Sequence, residues 1–296
     1  MIEQTFGDGE QSVARKLIEL ALAEDLSAVG DLTCRALIRP DQSATVQVVA
    51  RTDGVLAGSP IGRMVFDAFD RTVRWDAQRR DGDLVSKGTA IANVSGPLSS
   101  LLICERTMLN FMTHLSGIAS ITRRFVDTVT GTRAKILDTR KTLPGWRLLE
   151  KYAVRCGGGT NHRMGLYDGV LIKDNHLAAW TEAASIAEAV RTARAKSPPD
   201  VSIEIEVDTL VQLQDALCGL PDIVLLDNMQ VETLREAVAI RNRQAPKVLL
   251  EASGGVTLNT VNEIARTGVE RISVGALTHS SPALDLAFDW QSSTAI

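Results

Sequence analysis

Basic residues are concentrated in one segment of this otherwise acidic sequence. Between residues 133 and 173 there are nine Lys or Arg residues and three acidic ones, whereas the whole chain carries a formal net charge of −4. A compact positive region in an acidic protein favours a small polyanionic ligand, because nucleic acid requires a broader basic face. Arg147, Lys151 and Arg155 are spaced four apart, and we interpret them more simply as solvent-facing charges of one helix.

Four of the basic residues have the chemistry to bind such a ligand. Arg140 and Arg163 can each hold a carboxylate or a phosphate through two parallel hydrogen bonds, which lysine cannot do. Lys141 and Lys173 supply point charges that suit a pyrophosphate or a second carboxylate. His162 follows a run of three glycines and could donate a hydrogen bond to an anion, although a lone histidine is more often structural.

Two acidic residues and two glycine-containing segments complete this set. Glu206 and Asp227 are hard oxygen ligands of the kind that bind Mg²⁺ together with substrate phosphates, so we expect Mg²⁺ at these carboxylates. The segment 253–255 (Ser-Gly-Gly) precedes a helix predicted to start near residue 257, and backbone N–H groups at such a place bind a terminal phosphate. The segment 274–276 (Val-Gly-Ala) is expected to close the other side of that phosphate site.

Six apolar runs, most of them ending in or followed by polar residues, must position these side chains. We predict strands at 134–138, 169–173, 201–207, 222–227, 247–251 and 271–275, with helices between them at 146–155, 177–196, 209–218, 230–242 and 257–266. Strands that alternate with helices predict a parallel sheet with right-handed crossovers. The sheet could stay open and doubly wound. We favour a barrel, because all the polar strand ends then converge on one mouth.

The first part of the chain has a different pattern. An amphipathic helix is predicted at 11–25 and a shorter one near 60–69. Strands are predicted at 44–50, 54–58 and 72–78, and residues 83–96 resemble a hairpin. These elements indicate a small α+β unit. A long helix, roughly 98–129 and interrupted at Ser116-Gly117, leads into the second part.

Several classes of protein are not supported by the sequence. No apolar run reaches the roughly 18–20 residues of a membrane span, and the acidic N-terminus MIEQTFGDGE does not resemble a secretory signal. GxxxxGK[ST], strand-linked GxGxxG, HExxH and GxSxG do not occur. The four cysteines are far apart, which favours buried thiols in a reducing cytosol over disulfides or a zinc site. We therefore expect a cytoplasmic protein.

Nine segments in this order resemble the quinolinate (nicotinate-nucleotide) phosphoribosyltransferase family, the decarboxylating type II phosphoribosyltransferases. The resemblance covers nearly the whole chain. It is carried by EDLSAVGDLT (24–33), ERTMLNFMTHLSGIAS (105–120), DTRKTLPGWR (138–147), GGGTNHR (157–163), LIKDNH (171–176), IEIEVD (203–208), LLDNM (225–229), EASGGV (251–256) and ISVGALTHS (272–280).

The resemblance implies a fold, a reaction and an assembly. Residues 1–115 would form an N-terminal α/β sandwich domain, to which residues 285–296 could return, and residues 116–284 an incomplete parallel α/β barrel of about six strands. The enzyme would transfer phosphoribosyl from phosphoribosyl pyrophosphate to quinolinate with decarboxylation, giving nicotinate mononucleotide in de novo NAD biosynthesis. It would work as a homodimer, possibly within a higher oligomer, in which Arg106 reaches into the neighbour's site.

The expected site follows residue by residue from these motifs. Lys141, Lys173, Glu206 and Asp227 are the expected catalytic residues, and the two carboxylates also serve Mg²⁺, partly through the substrate. The expected substrate-binding residues are Arg106, Thr139, Arg140, Lys141, His162, Arg163, Lys173, Glu206, Asp227, Ser253, Gly254, Gly255, Val274, Gly275 and Ala276.

Two alternatives remain open at this point. One is a related type II phosphoribosyltransferase that acts on nicotinate or another acidic ring without releasing carbon dioxide. The other is a barrel-derived, molybdenum-transport-associated relative that has lost catalysis. The presence of Glu206 and Asp227 beside the Arg and Lys residues argues against the second alternative.

Overall fold

A computed structural model describes residues 5–180 and 185–290. In these ranges no helix combines the length and the apolar character needed to cross a membrane. The elements in chain order are α1 (Asp8–Leu26), α2 (Leu32–Leu37), β1 (Ser43–Ala50), β2 (Gly54–Val55), α3 (Ser59–Phe69), β3 (Arg74–Ala77), β4 (Leu84–Val85), β5 (Ala90–Pro97), α4 (Leu98–Thr128), β6 (Lys135–Leu137), α5 (Arg147–Cys156), β7 (Val170–Ile172), α6 (Asp174–Ala179), α7 (Ile186–Lys196), β8 (Ile203–Val207), α8 (Leu210–Cys218), β9 (Ile223–Asp227), α9 (Val231–Gln244), β10 (Leu249–Ser253), α10 (Val261–Ala265), β11 (Arg271–Ser273), α11 (Ala276–His279) and β12 (Leu286–Trp290).

The chain divides into two compact units. The first contains Met1–Arg123, Thr142–Gly158 and Leu277–Ile296, and the second contains Arg124–Lys141 and Gly159–Ala276. The boundary expected near residue 115 falls inside α4. Residues 291–296, the end of the expected C-terminal return, lie outside the described ranges.

The first unit is built on an antiparallel four-stranded sheet in the order β12-β1-β5-β3. Along β1, Val46 and Val48 point to the fully buried side, as the two-residue period of a strand requires. The hairpin predicted at 83–96 is wrong, because β4 pairs with β2 whereas β5 pairs with β1 and β3. The connecting turn instead bonds to β1, since the Gly88 N–H donates to the Ala50 carbonyl at 2.7 Å.

Helix α4 is continuous, so the interruption predicted at Ser116-Gly117 is also wrong. Ser116 is buried, and its hydroxyl accepts the Ala57 N–H at 2.9 Å. A Cβ on Gly117 would lie 2.1 Å from the Pro282 carbonyl oxygen. The two small residues therefore mark places where neighbouring segments approach the helix closely, and not a break in it.

The second unit is built on a parallel six-stranded sheet in the order β6-β11-β10-β9-β8-β7. Its central strands are buried on both faces, which explains their apolar runs. Among the described residues, β6 and β7 do not pair with each other, so the sheet does not close. Together with the first unit, this confirms the expected fold class, an α/β sandwich domain with an incomplete parallel α/β barrel.

Two helices of this unit differ from their predicted bounds. The helix predicted at 177–196 is found as α6 and α7, and its residues 181–184 lie outside the described ranges. The helix predicted at 257–266 starts only at Val261. A turn precedes it, in which the Thr257 N–H donates to the Thr260 hydroxyl at 3.0 Å. The segment 253–255 is therefore not followed directly by a helix, contrary to our expectation.

The burial of two groups of residues also differs from expectation. Lys151 is fully buried and Arg155 pairs with Glu10 at 2.8 Å, so the interpretation of α5 as a helix with solvent-facing charges is wrong for these residues. Buried residues lie all round α5, which leaves little of it for solvent. All four cysteines are free thiols, but Cys218, the last residue of α8, is exposed, whereas the other three are buried as expected.

Candidate active site

The polar residues predicted to act together lie at one edge of the sheet of the second unit. Residues 139–141 follow β6, Lys173 follows β7, and residues 274–276 follow β11. Glu206, Asp227 and Ser253 belong to the last two residues of β8, β9 and β10. Since all six strands are parallel, these carboxyl ends meet at the same edge.

The guanidinium groups of Arg163 and Arg140 are close enough in this region for their charges to interact. Arg163 is half-buried and donates to the Gly169 carbonyl at 3.0 Å. Burial lowers the pKa of Arg163, and the positive charge of Arg140 lowers it further. Among the described residues, the buried Nε of Arg140 has no hydrogen-bond partner. Two neighbouring cations, one of them with an unsatisfied buried donor, form a site that an anion would complete.

Lys173, which follows β7, and Glu206, near the end of the neighbouring strand β8, form an ion pair. The Lys173 Nζ lies 3.4 Å from the Glu206 carboxylate, and the lysine side chain is 44% exposed. Because the lysine side of this pair faces solvent, the pair is weak and Lys173 can turn to a ligand at little cost. Lys141 is exposed, and its backbone N–H donates to the Thr139 hydroxyl at 3.0 Å.

Asp227 is held by the next residue, Asn228. The Asn228 side-chain amide donates to the Asp227 carboxylate at 2.7 Å, and its backbone N–H donates to the Ser253 carbonyl at 2.9 Å. Asn228 has a left-handed φ of 52°, which asparagine tolerates better than most residues. A Cβ on Gly254 would lie 2.2 Å from the Asn228 Oδ1. Asn228 therefore connects the end of β9 with the glycine segment after β10.

The ring of His162 points into the interior of the second unit. Its Nε2 lies 3.1 Å from the Glu204 carboxylate and 3.3 Å from that of Glu251. Burial alone would lower the pKa of His162, but the two carboxylates outweigh this effect and raise it to about 9. The Nδ1 accepts the Arg163 N–H at 2.8 Å, which favours the neutral ring instead. The two full negative charges outweigh this contact, so the pKa of His162 is raised on balance.

Glu204 and Glu251 are site components that the sequence reasoning did not assign. Glu251 is fully buried, and the Arg271 Nε donates to it at 2.6 Å. Burial raises the pKa of Glu204; burial also acts on Glu251, but His162 and Arg271 outweigh it there and lower the pKa. The alternation of Glu and Ile in β8 could have predicted a role for Glu204, because it places Glu204 on the same face of the strand as Glu206.

The remaining predicted residues are less informative. Val274 donates its N–H to the Leu137 carbonyl at 2.9 Å, which joins the end of β11 to that of β6. Gly254 and Gly255 have φ values of 94° and 58°, a conformation that favours glycine. Arg106 lies in the first unit, on an exposed position of α4. Its role in a neighbour's site stays a prediction, as do the substrate contacts of the other residues.

Comparison with known proteins identifies relatives over nearly the whole chain. The family model "Quinolinate phosphoribosyl transferase, N-terminal domain" matches residues 31–116, and the corresponding C-terminal domain model matches residues 118–289. The nicotinate-nucleotide pyrophosphorylase (carboxylating) of Mycobacterium leprae is 45% identical over 284 residues, which cover 95% of this chain and 99% of the relative. A probable enzyme of the same name from Bacillus subtilis is 42% identical, with 93% and 92% covered. The solved nicotinate-nucleotide pyrophosphorylase of Francisella tularensis superimposes with a TM-score of 0.87 at 38% identity, with 95% and 96% covered.

Proposed function

This chain belongs to the quinolinate phosphoribosyl transferase family, and we propose that it joins quinolinate to the phosphoribosyl group of phosphoribosyl pyrophosphate. The products are nicotinate mononucleotide, pyrophosphate and carbon dioxide, and the reaction belongs to de novo NAD biosynthesis. The names of the relatives, nicotinate-nucleotide pyrophosphorylases (carboxylating), support this assignment. The observation that carries the proposal is the buried Nε of Arg140, which has no partner among the described residues and belongs to a guanidinium whose charge interacts with that of Arg163.

Quinolinate carries two carboxylates on neighbouring ring carbons, and this matches the charges of the site. Arg140 offers a buried Nε without a partner among the described residues, and Arg163 presents a second guanidinium whose pKa is lowered by its neighbour. Lys173, whose partly exposed side chain pairs with Glu206, adds a third cation. A bound dicarboxylate removes the repulsion between the two arginines and satisfies the Arg140 donor.

The first chemical step is the transfer of the ribosyl group. The ring nitrogen forms a bond to the anomeric carbon while the bond from that carbon to pyrophosphate breaks, and the bonding electrons leave with pyrophosphate. The site residues act by holding the nitrogen in line with the bond that breaks. Lys141 follows Arg140 in the chain and stabilises the departing negative charge. Glu206 or Asp227 offsets the positive charge that develops on the ribosyl group.

The second step is the loss of carbon dioxide. Once its nitrogen is bonded to ribose, the ring is cationic and accepts the electron pair left when the adjacent carboxylate departs. A proton from solvent then takes the place of that carboxylate. The other carboxylate stays bound to arginine, which keeps the ring in place. This scheme requires no dedicated acid or base from the protein.

We further propose that Glu206 and Asp227 hold Mg²⁺. Both are carboxylates on neighbouring parallel strands and on the ligand-binding edge of the sheet, which suits a hard cation that prefers oxygen ligands. The ion would neutralise charge on the pyrophosphate. Removal of divalent ions with EDTA should abolish turnover, and added Mg²⁺ should restore it. Full activity in metal-free solution would contradict this part of the proposal.

We also propose that the enzyme acts in the cytoplasm as a homodimer with a shared site. The exposed position of Arg106 on α4 is compatible with a contact to a second chain. If Arg106 serves the neighbour's site, Arg106→Ala and Arg140→Ala subunits, each inactive alone, should recover activity when mixed. Mixed dimers would then contain one site without either substitution. Failure to recover activity in verified mixed dimers would refute the sharing of the site.

The main test is turnover of quinolinate by the Arg140→Ala variant. With quinolinate labelled in the carboxylate next to nitrogen, the wild type should release labelled carbon dioxide only when phosphoribosyl pyrophosphate is present. Arg140→Ala should lower kcat/KM by about 100-fold or more, because a charged donor to the substrate is lost. Arg140→Lys should recover part of the loss, since it keeps the charge without the fork.

Arg235→Ala is the matched control. Arg235 is an exposed arginine of α9 in the same unit, and it pairs with Glu232 at 3.3 Å. This variant should behave as the wild type, and circular dichroism should show that all variants are folded. Near-normal turnover by Arg140→Ala would refute the site. Turnover of nicotinate without release of carbon dioxide would identify the related transferase instead.

A further inference from the structure

A second layer of charged residues lies deeper in the sheet than the residues that face the proposed substrates. Glu204 precedes Glu206 by two positions in β8, so both point to the same face and Glu204 is the deeper one. Glu251 occupies the third position of β10 and is fully buried. The mechanism described above uses neither residue, although buried carboxylates are costly unless they are paired.

Three contacts join these carboxylates into one network. The imidazole Nε2 of His162 lies between them, 3.1 Å from Glu204 and 3.3 Å from Glu251. Arg271, the residue paired with Glu251 in the neighbouring strand β11, donates its Nε to Glu251 at 2.6 Å. Two carboxylates, one imidazole and one guanidinium from different elements thus meet in the interior, and one oxygen of each carboxylate (Glu204 Oε1 and Glu251 Oε1) has no hydrogen-bond partner among the described residues.

His162 is fixed on its backbone side as well. Its N–H donates to the fully buried Asp138 at 2.9 Å, and its Nδ1 accepts the Arg163 N–H at 2.8 Å. Both ring nitrogens therefore face protein groups. A histidine held in this way fixes the backbone position of the next residue, which is Arg163. The charge of Glu204 also acts on Arg163, where it favours the cation.

We propose that Glu204 and Glu251 are positioning residues for the dicarboxylate half of the site and that they act through His162. They hold the imidazole in place, and the imidazole in turn fixes the backbone of Arg163, whose charge interacts with that of Arg140. His162 is then a positioning residue itself and does not contact the substrate, which differs from the role that the resemblance implies. This inference rests on the proposed function, because it concerns the affinity for quinolinate.

The same three residues could instead be a metal site. Their ligand atoms lie within 4.8 Å of one another. However, Arg271 already occupies one oxygen of Glu251, and a cation there would face this guanidinium. We therefore favour the ion-pair network, and metal analysis of the purified protein distinguishes it from a metal site.

The test compares Glu204→Ala and Glu204→Gln with Glu270→Gln. Glu270 is the matched control, because it forms an ion pair with the buried Arg241 at 2.9 Å but precedes β11, at the opposite end of the sheet from the site. Glu204→Ala should weaken quinolinate binding by about 10- to 100-fold, since small displacements of a binding group have effects of this size. Its KM for phosphoribosyl pyrophosphate should stay within about twofold of wild type, because Arg163 serves the dicarboxylate.

Conservative and double variants separate positioning from general stability. Glu204→Gln keeps an oxygen that accepts from Nε2 and should bind quinolinate more tightly than Glu204→Ala does. His162→Gln should reproduce the loss seen in Glu204→Ala. The double variant Glu204→Ala/His162→Gln should lose no more than His162→Gln alone, since the two residues act in series. If Glu204→Ala does not fold, Glu204→Gln and His162→Gln carry the same comparison.

Three results would overturn the inference. The first is wild-type affinity for quinolinate in His162→Gln or Glu204→Ala. The second is an equal rise of both KM values, accompanied by the same rise in Glu270→Gln. The third is a stoichiometric metal ion that is retained in Glu206→Gln and lost in Glu204→Gln. Release of carbon dioxide from quinolinate by the wild type is measured separately, so failure of the proposed function is distinguishable from failure of this inference.

Discussion

Replacement of Gly254, which directly follows β10, by alanine should destabilise the protein by an amount that can be worked out from the local geometry. Gly254 has a φ of 94°, and a non-glycine residue held in such a conformation costs about 1–3 kcal/mol. The new Cβ would also lie 2.2 Å from the Asn228 Oδ1. Asn228 must then move, and overpacking of this kind typically costs about 1–3 kcal/mol more. Because Asn228 also bonds to Asp227, the displacement should reach the proposed pyrophosphate side of the site.

Gly131→Ala separates the two costs. Gly131 lies in the same unit with a φ of 85°, but a Cβ there meets no atom within 4 Å. Urea unfolding should show that Gly131→Ala loses only the conformational part, whereas Gly254→Ala loses about 1–3 kcal/mol more. Kinetics should show a raised KM for phosphoribosyl pyrophosphate in Gly254→Ala alone, and Asn228→Gly in that background should recover part of the lost stability. Equal stability and equal KM in Gly131→Ala and Gly254→Ala would refute the reasoning.

Two further predictions concern groups outside the site. Burial alone would raise the pKa of Glu270, but the hydrogen bonds from Arg241 and from the Leu250 N–H outweigh burial and lower the pKa. The ionised Glu270 therefore stabilises the fold above pH 4.5, and this stabilisation is lost as the pH falls through the lowered pKa. Urea midpoints of Glu270→Gln should therefore approach those of the wild type as the pH falls below 4.5, and a constant difference would contradict this. Ellman's reagent should label one thiol in the native protein, Cys218, and four after denaturation, because the other three cysteines are buried. Burial also raises the pKa of Cys104 to about 12, which disfavours the reactive thiolate. Rapid labelling of Cys104 in the native protein would contradict its burial.

The strands of the second unit could be predicted because each one is a short apolar run with a polar end. The run at 222–227, for example, is found as β9 with Asp227 at its end. A buried parallel strand must be apolar on both faces, and its carboxyl end must meet the ligand edge. Both constraints act on neighbouring residues in the chain, so they are visible in the sequence.

Long-range contacts explain the predictions that were wrong. Ser116-Gly117 looks like a helix break, but these small residues accommodate Ala57 and Pro282, which are distant in sequence. The charges of α5 suggest a solvent-facing helix, yet Lys151 is fully buried in the first unit. Small or charged residues have the same local pattern whether they face solvent or another segment. Only the fold decides between the two.

Strand β8 carries a sequence signal for a buried charged residue. A strand buried on both faces should read as a continuous apolar run, but this one alternates isoleucine with Glu204 and Glu206. Glu206 lies near the ligand edge, where a carboxylate is expected, whereas Glu204 lies deeper and needs a buried partner. The partner, His162, is shared with Glu251 of β10, and β9 separates the two strands. An acidic residue early in a buried parallel strand therefore predicts that a charged network exists beneath the site, but its members become known only when the order of the strands is known.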